Sequence, residues 1–211
     1  MFFGNDFEKE NAYYIRYLGT MMRSLSLLLI AGFALVLMAG EAEADEYDFQ
    51  KPSWSYTSED DISAVAISAD GEYIVAGSRD DNVYLFHRDN NAPLWNYSTG
   101  DTVKDVAISA DGEYIVAGGA SETLYLSHKD NGTPLWSYDA GGWILSVAIS
   151  ANGEYIVISS SNGNVSLFGK GSSTPIWNYY IDENVWSVAI SADGAYIAAG
   201  SQNGEVYRFG K

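Results

Sequence analysis

The chain of 211 residues has no cysteine, only four prolines and two histidines, and few basic residues: 11 lysines and arginines stand against 28 acidic residues. Without cysteine, disulfide bonds, thiolate chemistry and cysteine–zinc sites are excluded. The net charge of −17 and the lack of a basic stripe disfavour binding to a phosphate backbone, so we predict no nucleic-acid partner. Apolar residues still make up 47% of the chain, which indicates a folded domain with a core.

One phrase, VAISADGEYIVAG, occurs four times with small changes and a constant spacing of 41 residues. The copies begin at Val65, Val106, Val147 and Val188. A second phrase of the form PLWNY keeps the same interval and carries a tryptophan each time, at Trp54, Trp95, Trp136 and Trp177. A period of roughly 40–45 residues with strand-like content is typical of propeller blades.

Each period contains four strand-sized pieces separated by turn signals, which in the first copy are residues 64–68, 72–77, 82–88 and 93–98. The first two pieces are apolar on both faces, as in sheets that are packed between two neighbours. The sequence therefore predicts an all-β protein, a β-propeller of four 41-residue, four-stranded blades. The phased tryptophans, one per blade on the outermost strand, are predicted to dock adjacent blades together.

The two ends of the repeat region predict how the propeller closes. The region begins with an isolated fourth strand, residues 53–57, and ends after a third strand, residues 205–209. We expect the N-terminal strand to complete the last blade and close a four-bladed ring without exposed edges. In the alternative, the chain is half of an eight-bladed homodimeric ring, in which the terminal strand completes its own last blade or its partner's.

The N-terminal region has the pattern of a secretory signal. Arg23 precedes an apolar run at residues 25–39, and an Ala42-x-Ala44 step follows, which predicts a mature start at Asp45. The domain prediction is a prefix and signal peptide over 1–44, a linker over 45–52 and a propeller over 53–211. We expect a secreted, extracytoplasmic protein; the alternative is an uncleaved N-terminal anchor, the one membrane attachment considered.

Two segments resemble known propeller repeats. Residues 185–209, VWSVAISADGAYIAAGSQNGEVYRF, resemble a WD-repeat blade, but no Trp-Asp dipeptide ends the third strand and no Gly-His pair precedes the repeat. Residues 131–141, NGTPLWSYDAG, resemble the tryptophan docking turn of quinoprotein-type (pyrroloquinoline-quinone) repeats. The resemblance covers residues 53–211 and is to secreted archaeal or bacterial repeat proteins. It implies the propeller architecture and no particular activity.

The repeats leave little room for catalytic chemistry. A quinoprotein enzyme needs cofactor ligands and a catalytic acid on inserted segments, whereas the spacing here is uniform. The aspartate of each Asp-Gly turn, such as Asp70, is separated from the next by a whole blade and is interpreted as a turn residue. His87 and His128 hold equivalent positions and are given a structural or solvent role. We therefore predict no catalytic residue, no metal site, no cofactor and no enzyme.

Binding surfaces should lie where the repeats diverge. The segments joining fourth to first strands and the turns joining second to third strands vary, and in a propeller both sets lie on one rim. Trp143 and Trp186 are out of phase with the docking tryptophans, fall in the first set, and are the predicted binding residues. The predicted function is a secreted, non-catalytic module that binds a protein or surface glycan; the alternatives are a lectin-like, carbohydrate-binding propeller and a degenerate quinoprotein-like enzyme or sensor.

Overall fold

The computed structural model describes residues 51–211, which form fifteen strands arranged in four antiparallel sheets. Blade 1 comprises β1 (Ile62–Ile67), β2 (Tyr73–Ser78), β3 (Asn82–His87) and β4 (Trp95–Ser98). Blade 2 comprises β5 (Val103–Ile108), β6 (Tyr114–Gly119), β7 (Thr123–His128) and β8 (Asn131–Asp139). Blade 3 comprises β9 (Ile144–Ile149), β10 (Tyr155–Ser160), β11 (Asn164–Gly169) and β12 (Trp177–Tyr180), and blade 4 comprises β13 (Val185–Ile190), β14 (Tyr196–Ser201) and β15 (Val206–Gly210). The predicted all-β propeller of four 41-residue blades is confirmed.

The turn between the first two strands of each blade shows why the repeat carries Asp-Gly. One carboxylate oxygen of Asp70 accepts hydrogen bonds from the Ser68 hydroxyl at 2.5 Å and from the Glu72 amide at 2.9 Å. Gly71 follows with a φ of 70°, a backbone conformation that a side chain disfavours. The same bonds recur around Asp111, Asn152 and Asp193. The interpretation of these aspartates as turn residues is confirmed.

The hydrophobic core lies between the blades, because each sheet is covered on both faces. We call the face toward the preceding blade the leading face and the opposite one the trailing face. Between blades 1 and 2, Val75 and Leu85 of the trailing face pack against Val103 and Val106 of the next leading face. Related clusters lie between blades 2 and 3 and between blades 3 and 4. Burial on two faces explains the nearly continuous apolar sequence of the inner strands.

The phased tryptophans join each blade to the next. Trp95 donates its indole N–H to the carbonyl of Lys129 in blade 2 at 2.7 Å, and Trp136 donates to the carbonyl of Lys170 in blade 3 at the same distance. The ring of Trp136 also lies 5.8 Å from that of Phe168, measured between centroids. Apolar burial and a satisfied N–H are thus combined in one side chain. The predicted docking role is confirmed.

The structure differs from the prediction in how the ring ends. Residues 53–57 form no strand with β15; blade 4 has three strands. Trp54 instead donates to the carbonyl of Arg88 at 2.6 Å, which fixes the segment on the leading face of blade 1. Val65 on that face is 68% exposed, whereas its counterpart Val106 in blade 2 is 5% exposed. The four blades therefore form an arc that does not close on itself, because blade 4 does not cover the leading face of blade 1.

The predictions for residues 1–44, and for most of the linker at 45–52, lie outside the described residues. Within residues 51–211, no helix has the length and apolar character needed to cross a membrane.

An aspartate interrupts the small residues of the inner strands. Asp105 stands where the other blades have Ala64, Ser146 and Ser187. Its carboxylate accepts hydrogen bonds from the Val147 amide at 2.8 Å and from the Ser146 hydroxyl at 3.0 Å, so it bridges blades 2 and 3. Burial raises the pKa of the Asp105 carboxyl above its ordinary value, although these hydrogen bonds favour the charged form.

The raised pKa makes Asp105 a source of pH-dependent stability. The folded state holds the Asp105 proton more tightly than the unfolded chain does. The stability that this protonation contributes to the folded state is therefore fully present below the unfolded pKa and is lost as the pH rises through the folded pKa. We expect Asp105→Ser to raise the melting temperature by a few degrees at pH 7, with the gain vanishing below about pH 4. Thermal melts from pH 3.5 to 8 test this expectation, with Asp101→Ser as the exposed control. An equal gain at every pH would contradict it.

Candidate binding rim

The variable segments of the repeats meet on one edge of the blades, as the sequence predicted. In each of the four blades, one backbone hydrogen bond of 2.8–2.9 Å joins the turn between the second and third strands to the segment that enters the first strand. The donors are the amides of Arg79, Ala120, Ser161 and Gln202, and the acceptors are the carbonyls of Asp61, Thr102, Trp143 and Asn184. We call the surface formed by these turns and segments the loop rim.

Trp143 lies on the loop rim immediately before β9, and the residue is 51% exposed. The ammonium of Lys104, from blade 2, lies 5.0 Å from the centroid of its ring. A cation over an indole face at this distance is attracted by the ring quadrupole. The carbonyl of Trp143 accepts the Ser161 amide at 2.8 Å, so backbone and ring are both held while much of the indole faces solvent.

Trp186 is the second predicted binding residue; it lies on β13 and is 55% exposed. It occupies the position that Lys104 has in blade 2. Trp143 and Trp186 belong to blades 3 and 4, and no ring contact joins them within residues 51–211. The two tryptophans therefore share the loop rim without forming one cluster.

A third feature of the rim was missed from the sequence. Tyr179, Tyr180, Asp182, Glu183 and Tyr207 line a shallow groove of about 430 Å³ between blades 3 and 4. Tyr180 donates its hydroxyl to the Asp182 carboxylate at 2.9 Å, and this hydrogen bond raises the pKa of the Tyr180 hydroxyl. A signal was available, because the corresponding residues of the first copy are Ser98, Gly100 and Asp101 and the aromatic departs from the repeat.

The groove and the two tryptophans give the rim its chemical character. Exposed aromatic rings offer apolar area with polar edges, which is typical of interface anchors. Carboxylates of Asp80, Asp101, Asp182 and Glu183 lie on the same rim, whereas Arg79 and Lys104 are its basic groups. A ligand with cationic or hydrogen-bond-donating groups beside apolar ones fits such a surface best.

The histidines lie away from the rim and apart from each other. His128 is 2.9 Å from the Glu113 carboxylate through Nε2 and lies edge-on to Tyr114, while His87 lies edge-on to Tyr73 in its own blade. Each histidine thus packs on the tyrosine of the neighbouring strand. Among residues 51–211, no group of three or more metal-ligating side chains is assembled.

Antiparallel sheets that repeat every 41 residues and pack face to face through a docking tryptophan define a β-propeller repeat protein. A family model described as outer membrane protein assembly factor BamB matches residues 48–210. The chain belongs to this family, whose repeats are of the quinoprotein type. Fold and family together define a propeller scaffold or binding module.

Solved structures share the fold widely. A WD-repeat propeller chain in a structure titled "Crystal Structure of Mitotic Checkpoint Complex" is similar with a TM-score of 0.63 and 18% identity, over 71% of this chain and 50% of that chain. This chain thus spans half the length of that one. The comparison with curated proteins found no match to the present chain. Because 1654 solved chains match, the likeness establishes the architecture and names no activity.

Proposed function

We propose that the protein is an extracytoplasmic, non-catalytic binding module that holds a protein partner on its loop rim. The observation that carries this proposal is the exposure of two tryptophans and a tyrosine-lined groove on one acidic edge. Tryptophan and tyrosine are enriched among interface anchors, and rims built from loops on a rigid scaffold are common binding sites. The BamB-like family membership supports the same class of function, since these propellers generally mediate protein interactions.

A protein partner fits the rim better than a glycan bound once per blade. Trp143 and Trp186 occupy different positions of the repeat, and the groove residues Tyr180 and Asp182 do not recur in the first two copies, which have Ser98 and Asp139, and Gly100 and Gly141, at these positions. A lectin-like propeller would repeat one site in each blade. The partner we propose is a segment with lysine or arginine beside apolar side chains, which the carboxylates and the indole rings of the rim would bind together.

The proposed location follows from the N-terminal sequence. The apolar run at residues 25–39 acts as a secretory signal, or as an anchor where it is retained, and the acidic propeller then functions outside the cytoplasm. The mass of the protein isolated from its host gives its first residue. A chain that begins at Asp45 agrees with secretion, whereas a cytoplasmic chain that retains the run contradicts it.

Site-specific photo-crosslinking tests the rim. A photoreactive residue at Tyr180 should capture a defined partner in the host, whereas the same residue at Asn90, in a turn at the opposite edge of blade 1, should not. Trp143→Ala should weaken binding of that partner by about 30-fold, the cost of losing an interface anchor of about 2 kcal/mol. Leu135→Ala, with 56% exposure against the 51% of Trp143, is the matched control. Equal capture from both edges would refute the proposal.

A further inference from the structure

We propose that two copies of the chain assemble head to tail into an eight-bladed ring. In this ring, the trailing face of blade 4 of each copy packs on the leading face of blade 1 of the other. Both junctions reuse the interface that already joins blade to blade three times within one chain. The assembly is separate from the binding proposed for the loop rim, but it brings Trp186 beside the partner's Asp61, as Lys104 lies beside Trp143 within one chain.

A backbone ladder shows that one junction is left unmade. The amide of Ala69 donates to the carbonyl of Ala110 in the next blade at 2.9 Å, Ala110 donates to Ala151 at 3.0 Å, and Ala151 donates to Ala192 at 3.0 Å. The next donor in the series is the Ala192 amide, and the acceptor left at the start is the Ala69 carbonyl. Within residues 51–211 these two groups form no such bond, and a second copy would supply both partners.

A tyrosine clasp repeats in the same way. Tyr73 packs over Gly112 of the next blade's turn, and the ammonium of Lys129 from that blade lies 5.1 Å from the tyrosine ring centroid. The clasp recurs with Lys170 over Tyr114 at 4.5 Å and with Lys211 over Tyr155 at 4.0 Å. The fourth tyrosine, Tyr196, is 52% exposed, and Gly71 meets no side chain from another blade. In the ring, Tyr196 would cover the partner's Gly71.

The apolar surfaces left at the two ends are complementary by the repeat. On blade 4, Val206 is 81% exposed, whereas its counterpart Val83 on blade 1 is 3% exposed because blade 2 covers it. On blade 1, Ile62, Val65 and Ile67 are exposed, whereas the corresponding side chains of blade 2 pack against blade 1. Each end of the arc thus presents the side chains that its opposite end needs to bury.

A fourth strand is also left to be supplied. In blade 1, Leu85 pairs with Trp95 and Asn82 pairs with Ser98, and blade 3 has the same register. Transferring this register by the 41-residue period places the partner's Trp54 opposite Arg208 and the partner's Thr57 opposite Glu205. Residues 53–57 already lie on blade 1 through Trp54, so they are positioned to add to the edge of β15 when the partner's blade 4 arrives.

The number of copies follows from the size of propeller rings. Rings typically have about four to eight blades. Two copies of this four-bladed arc together supply a number of blades within that range, whereas three copies would exceed it. The solved chain that this arc resembles is twice the length that the arc covers, in keeping with four blades as part of a larger ring. A head-to-tail interface that closes gives a symmetric dimer.

One residue departs from the apolar pattern of the closing face. Arg208 stands where blades 1, 2 and 3 have leucine, and its guanidinium lies 4.6 Å from the ring centroid of Tyr196. Such a cation weakens an apolar junction, and it also opposes non-specific pairing of an edge strand. The junction between copies is therefore weaker than the junctions within one chain, and Arg208→Leu should strengthen the dimer.

Engineered cysteines test the register without interference, because the chain has none of its own. In blade 1, the bond from the Thr99 amide to the Asp81 carbonyl makes the adjacent pair, Asn82 with Ser98, a closely spaced one. The equivalent pair between copies is Thr57 with Glu205, at a separation that suits a disulfide. The full chain carrying Thr57→Cys and Glu205→Cys should therefore migrate as a covalent dimer on a non-reducing gel.

Mixing the two single-cysteine variants separates closure between copies from closure within one chain. A crosslinked heterodimer of Thr57→Cys with Glu205→Cys supports the ring, and Ser53→Cys with Glu205→Cys is the off-register control, since its cysteines would be about 13 Å apart along the strand. A disulfide within one chain, a crosslink of equal yield in the control, or no crosslink in a chain that melts like the wild type would each overturn the proposal.

Discussion

Gly118→Val should destabilise the propeller by about 3 kcal/mol and lower its melting temperature by roughly 6–10 °C. A Cβ placed on Gly118 would lie 2.5 Å from Cγ2 and 2.9 Å from Cβ of Ile144 in the next blade. Ile144 is fully buried and β-branched, so it has no free space into which it can turn. The added methyl groups must therefore push blades 2 and 3 apart. Thermal unfolding followed by circular dichroism measures the loss.

Gly200→Val is the matched control, because Gly200 holds the same repeat position on blade 4 and nothing lies within 4 Å of its added Cβ. We expect this variant to keep the wild-type melting temperature of the isolated chain while losing the dimer, since the partner's Ile62 would meet the new side chain. Gly118→Ser should cost less than valine, because blade 3 carries Ser159 at this position. Equal stability of Gly118→Val and Gly200→Val would show that the blades do not pack as described.

Trp136→Ala should cost about 3 kcal/mol of unfolding free energy, the second large effect. The indole ring fills the space between β8 and Phe168, and its N–H satisfies the carbonyl of Lys170. Removing it leaves a gap between blades 2 and 3 and an acceptor without its donor. Trp136→Phe should recover most of the packing and none of the hydrogen bond.

Trp143→Ala is the control for tryptophan removal, because this ring is half exposed and its contact is a cation–π pair with Lys104. The unfolding free energy of this variant should differ from that of the wild type by no more than about 0.5 kcal/mol. Chemical denaturation of the three variants under one condition gives the comparison. A loss at Trp143 as large as that at Trp136 would contradict the assignment of one ring to docking and the other to the rim.

Much of the architecture was predictable because its signals are local. The Asp-Gly turn at Asp70 and the apolar pieces on either side determine one hairpin, and a constant period places the same hairpin in every blade. The docking role of Trp95 and Trp136 was predictable too, since one large aromatic per repeat at the outer strand has few other uses. Family membership agrees with the predicted propeller repeats.

Closure was not predictable, because it depends on the summed rotation between blades rather than on any short motif. The isolated strand predicted at 53–57 indicated that it supplies the fourth strand of some blade. No residue in it indicates whether that blade belongs to the same chain. Its docking on blade 1 through Trp54 became visible in the structure. The groove beside Tyr180 was missed because a Tyr-x-Asp sequence resembles any polar loop. Only the fold brings Asp182 and Tyr207, which are distant in sequence, to the same groove.

The solution mass of the protein, measured by light scattering across a concentration series, tests most directly the claim that one interface is used within and between chains. We expect a mass of two chains at high concentration, dissociation on dilution, and a mass of one chain for Gly200→Val. A wild-type protein that remains a single chain at every concentration, with a melting temperature that does not change with protein concentration, would contradict the claim of a shared interface.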